Sequence, residues 1–505
     1  MFAPASWSGL LLTLYFAVLT TLAIYGAHRY WMVFLYFRNR DRAPELPGSF
    51  ERLPRVTVQL PIYNELYVVE RLIDSVCGLD YPRALLEIQV LDDSTDETRE
   101  RARAAVERHR ERGIDVRYLH RTDRAGFKAG ALAAGLRAAR GEILAVFDAD
   151  FVPEPDFLHR TVHHFVDPGV GMVQARWGHI NDSYSLLTRI QAVLLDAHFV
   201  LEHGGRNRAG AFFNFNGTAG LWRRDAIERA GGWQHDTLTE DMDLSYRAQL
   251  EGYRFVFLPD VVAPAEIPVT MSAFKSQQQR WSKGSIQTAR KLLPRILASP
   301  LSLRVKVEAF FHLTANIAYP LMVLLSLLMF PGMLVRFDMG FAEMLLLDAP
   351  LFLLATASVT SFYVVSQREL YPDWRHRLKV LPMLLALGIG MSLSNARAVL
   401  EGLLGRDSSF VRTPKYRIES STDGWKEKKY RGRGSFLPWV ETAFGLYFTA
   451  AVAYAVSYGI LGSIPFLVLF QVGFLYTGVL SLLESVELKA LRAGSKAWQA
   501  LRSIG

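Results

Sequence analysis

Two acidic groups stand directly behind short apolar runs. Ile143–Phe147 is followed by Asp148, Ala149 and Asp150, and Ile88–Leu91 by Asp92, Asp93, Ser94, Thr95 and Asp96. Carboxylates that follow an apolar strand project from the edge of a sheet into one crevice. One or two of them, together with substrate phosphates, are how Mg²⁺ or Mn²⁺ sits beside a nucleotide. An isolated Asp-x-Asp is more often a solvated turn, and the strand before it brings the metal reading level with that one. Ser94 and Asp96 precede a helical run and so also suit its N-cap. A third cluster, Thr239, Glu240 and Asp241, opens a further helical run. It reads either as a capped helix start, with Thr239 as cap and acids in the first turn, or as the source of a general base, Asp241, near the metal. Spacing alone leaves both readings open.

The elements around these acids alternate. β-rich runs at Val56–Leu60, Ile88–Leu91, Val116–Leu119 and Ile143–Phe147 are separated by helical stretches at Val68–Val76, Glu97–Arg112 and Lys128–Ala139. Such alternation predicts βαβ units and a mainly parallel sheet, whose ligands bind at the carboxyl ends of the strands. A phosphate loop of the Gly-x-x-x-x-Gly-Lys type, a Gly-x-Gly-x-x-Gly turn after a strand, His-Glu-x-x-His and Gly-x-Ser-x-Gly are all missing from the sequence. Those gaps argue against P-loop, dinucleotide-binding, zinc-protease and α/β-hydrolase chemistry. Cys77 is the single cysteine, which excludes a disulfide framework. His179, His198 and His203 have no metal-ligand spacing and read as ordinary side chains.

The chain has 505 residues, 50% of them apolar and 21% charged, with a net charge of +8. Its mean hydropathy of +0.12 averages a polar middle and apolar flanks. Ser8–Tyr25, Ala309–Val335, Ala342–Val365, Trp439–Gly459 and Ser463–Leu483 are each long enough to cross a bilayer. The first reads as a retained anchor, since no basic segment precedes it. Val380–Leu404 is apolar only in its first half and is expected to lie at the interface or re-enter. Arg38, Arg40 and Arg42, the stretch Arg397–Arg433 with ten basic against five acidic residues, and the basic tail after Leu488 all belong on the cytoplasmic side. Five crossings satisfy all three.

The ordered set Pro61-Ile-Tyr-Asn-Glu65, Asp92-Asp93-Ser94, Lys128 within Gly-Phe-Lys-Ala-Gly, Asp148-Ala-Asp150, Thr239-Glu-Asp241 and Gln277-Gln-Gln-Arg-Trp281 resembles a family 2 inverting glycosyltransferase. The apolar flanks are similar to those of its processive, cellulose synthase-like branch. Phe213-Asn-Phe-Asn-Gly-Thr-Ala-Gly-Leu-Trp222 and Glu240-Asp-Met-Asp-Leu244 are especially similar to plant glucomannan and xyloglucan-backbone synthases. Phe410-Val-Arg-Thr-Pro-Lys415 resembles the gating loop of bacterial cellulose synthase, Phe-x-Val-Thr-x-Lys, with Val and Arg displaced by one position. The implied fold is an α/β GT-A domain, mixed but mainly parallel, set in an α-helical transmembrane bundle. The resemblance divides the chain into an N-terminal transmembrane helix (1–37), a cytoplasmic catalytic domain (50–265), interfacial amphipathic helices (266–300), transmembrane helices with an interface helix (305–404), a cytoplasmic gating-like loop (405–436), two transmembrane helices (437–485) and a basic tail (486–505).

The resemblance also implies roles. Tyr63, Glu65, Asp92 and Asp93 would surround the nucleobase and ribose, and Lys128, Asp148 and Arg280 the diphosphate. Asp150, with Asp148, would hold Mg²⁺ or Mn²⁺, and Asp241 would be the base. Asn216, Gly217, Thr218, Glu240, Gln277 and Trp281 would face the acceptor, and Phe410, Thr413 and Lys415 would form the gating-like loop. The expected partners are a nucleotide-sugar donor of the UDP-glucose or GDP-mannose type, a glycan acceptor and membrane lipids, with no nucleic acid. The rival is transfer of one or few sugars to a lipid such as ceramide or diacylglycerol. A bacterial inner membrane, with the catalytic domain cytoplasmic, is the expected location. Within Ser272–Leu293, Lys275, Arg280, Lys283, Arg290 and Lys291 alternate with apolar residues, which predicts a basic amphipathic helix on the cytoplasmic leaflet, with Gln277, Arg280 and Trp281 on one face. Polar residues in the spans, His312, Asn316 and Tyr319 first among them, read as helix–helix hydrogen bonding or as the lining of a product channel that continues from Trp281.

Overall fold

A polar backbone can be buried in a wide sheet only if every strand is paired, and β-branched residues suit both faces of such strands. The computed structural model describes residues 7–42, 46–336, 350–351, 353–406, 412–420, 422–430 and 435–502, with side chains as far as 486. Helix α1 (Trp7–Arg38) leads into β1 (Val56–Ile62), α2 (Val69–Cys77), β2 (Leu86–Asp92), α3 (Thr98–Glu111), β3 (Val116–His120), α4 (Phe127–Ala138) and β4 (Ile143–Val146). From β1 to β4 these match the expected elements to within two residues at each end, whereas α1 runs thirteen residues past the expected Tyr25. The second half of the domain adds α5 (Phe157–Val162), β5 (Val170–His179), α6 (Leu186–Ala197), α7 (Gly204–Arg208), β6 (Gly220–Arg223), α8 (Arg224–Arg229), α9 (Glu240–Leu250) and β7 (Arg254–Ala265).

The seven strands form one sheet in the order β3–β2–β1–β4–β6–β5–β7. β1 pairs in parallel with β2 and β4, and β2 with β3. β6 runs antiparallel to both β4 and β5, and β7 parallel to β5. The sheet is therefore mixed but mainly parallel. β1 and β2 are nearly completely buried, with Val56, Val58, Leu60, Ile88 and Val90 in one core and Leu91, Leu132, Leu144, Phe215 and Trp222 in the core on the other side. Register places Ile62 beside Asp92, so β1 and β2 end together and the acids behind β2 and β4 emerge at one edge.

Helix starts differ from the simplest capping expectation. Asp96 Oδ1 accepts from the Thr98 amide at 3.0 Å, whereas the Ser94 hydroxyl accepts from the Asn64 amide at 2.8 Å and caps nothing. Thr239 precedes α9 without a side-chain cap bond; its hydroxyl faces that of Thr288 at 3.3 Å. The competing partner on the next helix has taken the hydroxyl.

Beyond the sheet lie α10 (Met271–Ala298), α11 (Leu303–Thr314), α12 (Ala318–Val335), α13 (Ser358–Leu370), α14 (Trp374–Arg377), α15 (Leu381–Gly390), α16 (Ser392–Leu403), α17 (Leu437–Ser457) and α18 (Ile464–Arg502). Among the described residues four helical stretches are long and apolar enough to cross a membrane: Trp7–Arg38, Leu303–Val335, Leu437–Ser457 and Leu461–Val486. Trp374–Gly390 and Ser392–Leu403 form a pair bent by 43°, the geometry of a broken span or a re-entrant segment. The expected span Ala342–Val365 lies partly outside the described residues; its described remainder runs as one π-turn, Leu353–Ala357, into α13.

The six basic residues of α10 all meet a partner within the fold, with Arg290 and Arg295 remaining exposed: Lys275 meets Glu441 and the Ser481 hydroxyl at 2.8 Å, Arg280 the Thr413 hydroxyl at 2.8 Å, Lys283 Glu401 at 3.3 Å, Arg290 the Gly402 carbonyl at 2.9 Å, Lys291 Asp236 at 2.8 Å and Asp243 at 2.9 Å, and Arg295 Glu251 at 3.0 Å. A cation removed from water must be paired, and these pairs lie far away in sequence.

Candidate active site

The edge where β1, β2 and β4 end opens on a cavity whose wall includes Tyr63, Glu65, Asp93, Lys128, Asp148, Asp150, Asn216, Gly217, Glu240, Asp241, Gln277, Arg280, Trp281, Thr413 and Lys415. Fifteen of the eighteen residues singled out in the sequence share this wall. Asp92 and Thr218 lie one layer beneath it. Asp92 is fully buried and accepts from the Ser94 amide at 2.8 Å and the Tyr118 hydroxyl at 2.6 Å, and the Thr218 hydroxyl accepts from the Asp148 amide at 2.9 Å. Phe410 lies outside the described residues.

Each group is held from a different element. Lys128, one residue into α4, donates to Asp148 Oδ1 at 2.6 Å and to the Gly217 carbonyl at 2.9 Å, and stands 4.0 Å from Glu240. Gly217 sits at φ +81°, and a Cβ there would lie 2.9 Å from Asp241 Oδ2, so the chain passes as closely over that carboxylate as glycine permits. Asp241, in the first turn of α9, accepts from the Met242 amide at 2.8 Å. Burial pushes its carboxyl up to about 7, aided by the neighbouring Glu240 carboxylate and opposed by Lys128. Burial likewise raises Glu240, again against Lys128. Arg280 on α10 is pushed down to about 10 by burial, against the pull of Glu240 and Asp148. Gln277, Arg280 and Trp281, a turn of one helix, all reach the cavity wall.

Four further side chains complete the site. Arg124 lies flat on the Tyr63 ring, 3.3 Å from its centroid. Arg412 pairs with Glu65 at 2.8 Å and stacks on Tyr430 at 3.9 Å. Trp177 and His179, at the end of β5, extend the wall beyond Asp241. Arg124 has a faint signal in the sequence, since it lies one helical turn ahead of Lys128; the others have none, because their partners are remote. Burial pushes Glu65 up to about 7, with Arg412 and Lys415 opposing.

Asp148 and Asp150 are the groups in this wall suited to a hard cation. Lys415 donates to Asp150 Oδ2, so a positive charge already stands against that carboxylate, as a metal would. Among the described residues no cluster of three or more His, Cys, Asp or Glu is placed to hold a metal ion. Two carboxylates are the protein's share, and phosphate oxygens and water would supply the remaining ligands, which is how Mg²⁺-type ions usually sit with a nucleotide. The residues fit the ion.

The fold and the wall together define a glycosyltransferase of the GT-A type. A family model, "Glycosyltransferase like family 2", matches residues 54–284. Glucomannan 4-beta-mannosyltransferase 1 of Oryza sativa subsp. japonica is 45% identical over 262 residues, 51% of this chain and 50% of the relative. Glucomannan 4-beta-mannosyltransferase 2 of Arabidopsis thaliana is 45% identical over 249 residues, 48% and 47% of the two chains. Glucomannan 4-beta-mannosyltransferase 1 of Cyamopsis tetragonoloba is 36% identical over 376 residues, 72% of this chain and 69% of the relative. The chain thus spans about half the length of the first two relatives it matches. It belongs to the family 2 glycosyltransferases, in the cellulose synthase-like branch that holds these plant enzymes. In fold it is similar to the mannosyltransferase PcManGT of Pyrobaculum calidifontis, solved with GDP-Man and Mn²⁺, at a TM-score of 0.51 and 23% identity over 78% of this chain and all of the other. The named relatives are plant proteins, so they lend no support to the expectation of a bacterial inner membrane.

Proposed function

We propose that this chain is a membrane-embedded, inverting mannosyltransferase that extends a β-linked polysaccharide from GDP-mannose, with the catalytic domain on the cytoplasmic side. The observation that carries this reading is the junction of Asp241, Lys128, Arg280 and the Asp148/Asp150 pair in one wall, in a chain 36–45% identical to β-mannosyltransferases. Tyr63, Glu65 and Asp93 surround the base and ribose in this proposal, and Lys128 and Arg280 meet the diphosphate. Asp148 and Asp150 would hold Mg²⁺ or Mn²⁺, which when bound would neutralise charge on the departing diphosphate. Trp281 and Gln277 face the acceptor sugar.

The chemistry follows from the geometry of displacement. An acceptor hydroxyl oxygen forms the bond to the anomeric carbon as the bond from that carbon to the phosphate oxygen breaks. Asp241 takes the hydroxyl proton, and GDP leaves with the electron pair. Attack from the face opposite the leaving group converts an α-linked donor into a β-linked product. A base held near pH 7 by burial suits proton removal at neutral pH, and fixed cations around the diphosphate stabilise the charge that develops there.

The test is direct. Full-length protein in detergent is given labelled GDP-mannose, UDP-glucose or UDP-N-acetylglucosamine with Mn²⁺ or Mg²⁺. Incorporation from GDP-mannose well above the other two donors, into material that endo-β-mannanase digests, is expected. Incorporation from a UDP-sugar alone would overturn the mannosyl reading.

A further inference from the structure

The six residues His198–His203 between α6 and α7 form a π-helical turn inside an otherwise α-helical run. Its effect is geometric. In an α-helix residues five apart point about 140° away from each other, whereas a π-turn brings i and i+5 onto one side. His198 and His203 accordingly face one another with ring centroids 4.4 Å apart, and both reach the side chain of Asn216.

The hydrogen-bond directions follow from one fixed acceptor. The Asn214 carbonyl can only accept, so His203 Nε2, 2.9 Å away, carries the proton. The same N–H points at Asn216 Oδ1, 2.5 Å away, which assigns the amide: its Nδ2 donates to His198 Nε2 at 2.9 Å. His198 must then carry its proton on Nδ1, and that atom lies 2.9 Å from Glu202 Oε2. Every assignment is consistent with the next. Glu202 in turn pairs with Arg29 of α1 at 2.7 Å and lies 3.4 Å from Arg206. His203 is fully buried, which holds it neutral, and the burial that would protonate Glu202 is outweighed by Arg29, His198 and Arg206.

What the clamp holds is the short loop Asn216–Thr218. Asn216 also donates its amide to Gln174 Oε1 at 3.0 Å. The next residue, Gly217, offers its carbonyl to Lys128 and passes over Asp241, and Thr218 accepts from the Asp148 amide. With both amide atoms of Asn216 engaged by the two imidazoles, this loop can neither slide nor rotate without breaking the chain of bonds.

We propose that His198 and His203 are positioning residues that, through the Asn216 amide, fix the Asn216–Thr218 loop and thereby the spacing of Lys128, Asp148 and Asp241 for sugar transfer. The proposal deepens the glycosyltransferase reading and rests on it for the reaction. It also makes α1 part of the assembly, through Arg29 and Glu202, rather than a mere anchor.

The experiment uses full-length protein in detergent and whichever donor the wild type consumes, so a wrong donor overturns the mannosyl reading and leaves this comparison intact. Asn216→Ala and His203→Ala are expected to lower kcat roughly 10–100-fold, the effect of a small misplacement of reacting groups, while donor KM and affinity for the matching nucleoside diphosphate stay within about threefold. His203→Gln, whose amide can donate from nearly the same place, is expected to recover at least about a third of wild-type kcat. If Asn216→Ala keeps kcat within about twofold of wild type, the proposal is wrong. It is equally overturned if nucleotide affinity and melting temperature fall in step with kcat in Asn216→Ala and in His203→Gln, since that pattern marks a structural role.

Discussion

Burial and the Glu240 carboxylate push Asp241 up to about 7, while Lys128 pulls the other way. A general base acts only when deprotonated, so with Asp241 as the proposed base this raised value sets the acid limb of the rate profile. At saturating donor, kcat should rise with pH and level off above about 7, a limb that an exposed aspartate would place near about 4. Asp241→Asn keeps the shape of the side chain and removes the base. It should lower kcat by roughly 10²–10⁴ and leave donor binding nearly intact, measured by initial rates and by calorimetric titration of GDP. Wild-type turnover in that variant would remove Asp241 from the mechanism. The carboxylates themselves were legible in the sequence because they follow strands, and a strand's end is a local property. What encircles them was not. Arg412 on Glu65 and His198 on Asn216 are contacts made by the fold between segments whose own composition says nothing of one another.

At the scale of elements, the extended segment 412–420 is laid across the cavity and touches it at three places: Arg412 on Glu65, Thr413 against Arg280, and Lys415 on Asp150. It is anchored outside the cavity as well, since the Tyr416 and Arg417 amides donate to Glu266 at 2.9 and 2.8 Å. An ammonium and a divalent cation cannot share one carboxylate oxygen. Lys415→Ala should therefore tighten Mn²⁺ binding to the nucleotide-free protein roughly fivefold, the weight of an ion pair of about 1 kcal/mol. Asp150→Asn should abolish that gain; free Mn²⁺ measured by electron paramagnetic resonance reads both. Unchanged Mn²⁺ affinity in Lys415→Ala would mean that the ion binds elsewhere. A second inter-element tie joins α9, which carries Asp241, to α11: the Tyr246 hydroxyl and His312 Nδ1 share a hydrogen bond at 2.7 Å, and both residues are buried. Tyr246→Phe leaves the imidazole nitrogen unpaired at a cost of about 1–3 kcal/mol, to be seen as a lower melting temperature in detergent. An unchanged melt would show that the bond contributes nothing net. This contact also revises a reading of the sequence. His312 and Asn316 share a helical face, yet they are not part of the cavity wall: one is taken by Tyr246, and the other accepts from the Ser282 hydroxyl at 3.2 Å. The spacing identified the face, and only the fold identifies its partner. The same holds for Lys275 of α10, whose partner Glu441 lies 166 positions away.

For the whole molecule the question is where the product goes. A catalytic wall at the edge of the sheet is packed, through α10, against helices apolar enough to cross a membrane. Many polar groups in those helices are committed to one another: the Thr449 hydroxyl donates to the Gly445 carbonyl at 2.9 Å and accepts from Gln471 at 2.9 Å, and Ser457 returns to the Ala453 carbonyl at 2.9 Å. Only the Gln471–Thr449 bond joins two helices, the others returning to their own backbone, and such satisfied groups do not by themselves mark a channel. The distinction between a polymer and a glycolipid therefore falls to the product. A lipid acceptor carrying one sugar would partition into organic solvent. A growing β-linked chain, with many hydroxyls per added residue and no hydrocarbon, would stay behind, because each unpaired polar group costs several kcal/mol to place in an apolar phase. With detergent-purified protein and labelled GDP-mannose, label should remain in the aqueous or insoluble fraction after chloroform–methanol extraction. Its chain length should increase with the ratio of donor to enzyme, and endo-β-mannanase should reduce it to short oligosaccharides. Label recovered wholly in the organic phase as a single-sugar lipid would reverse the assignment of acceptor and leave the donor site as described.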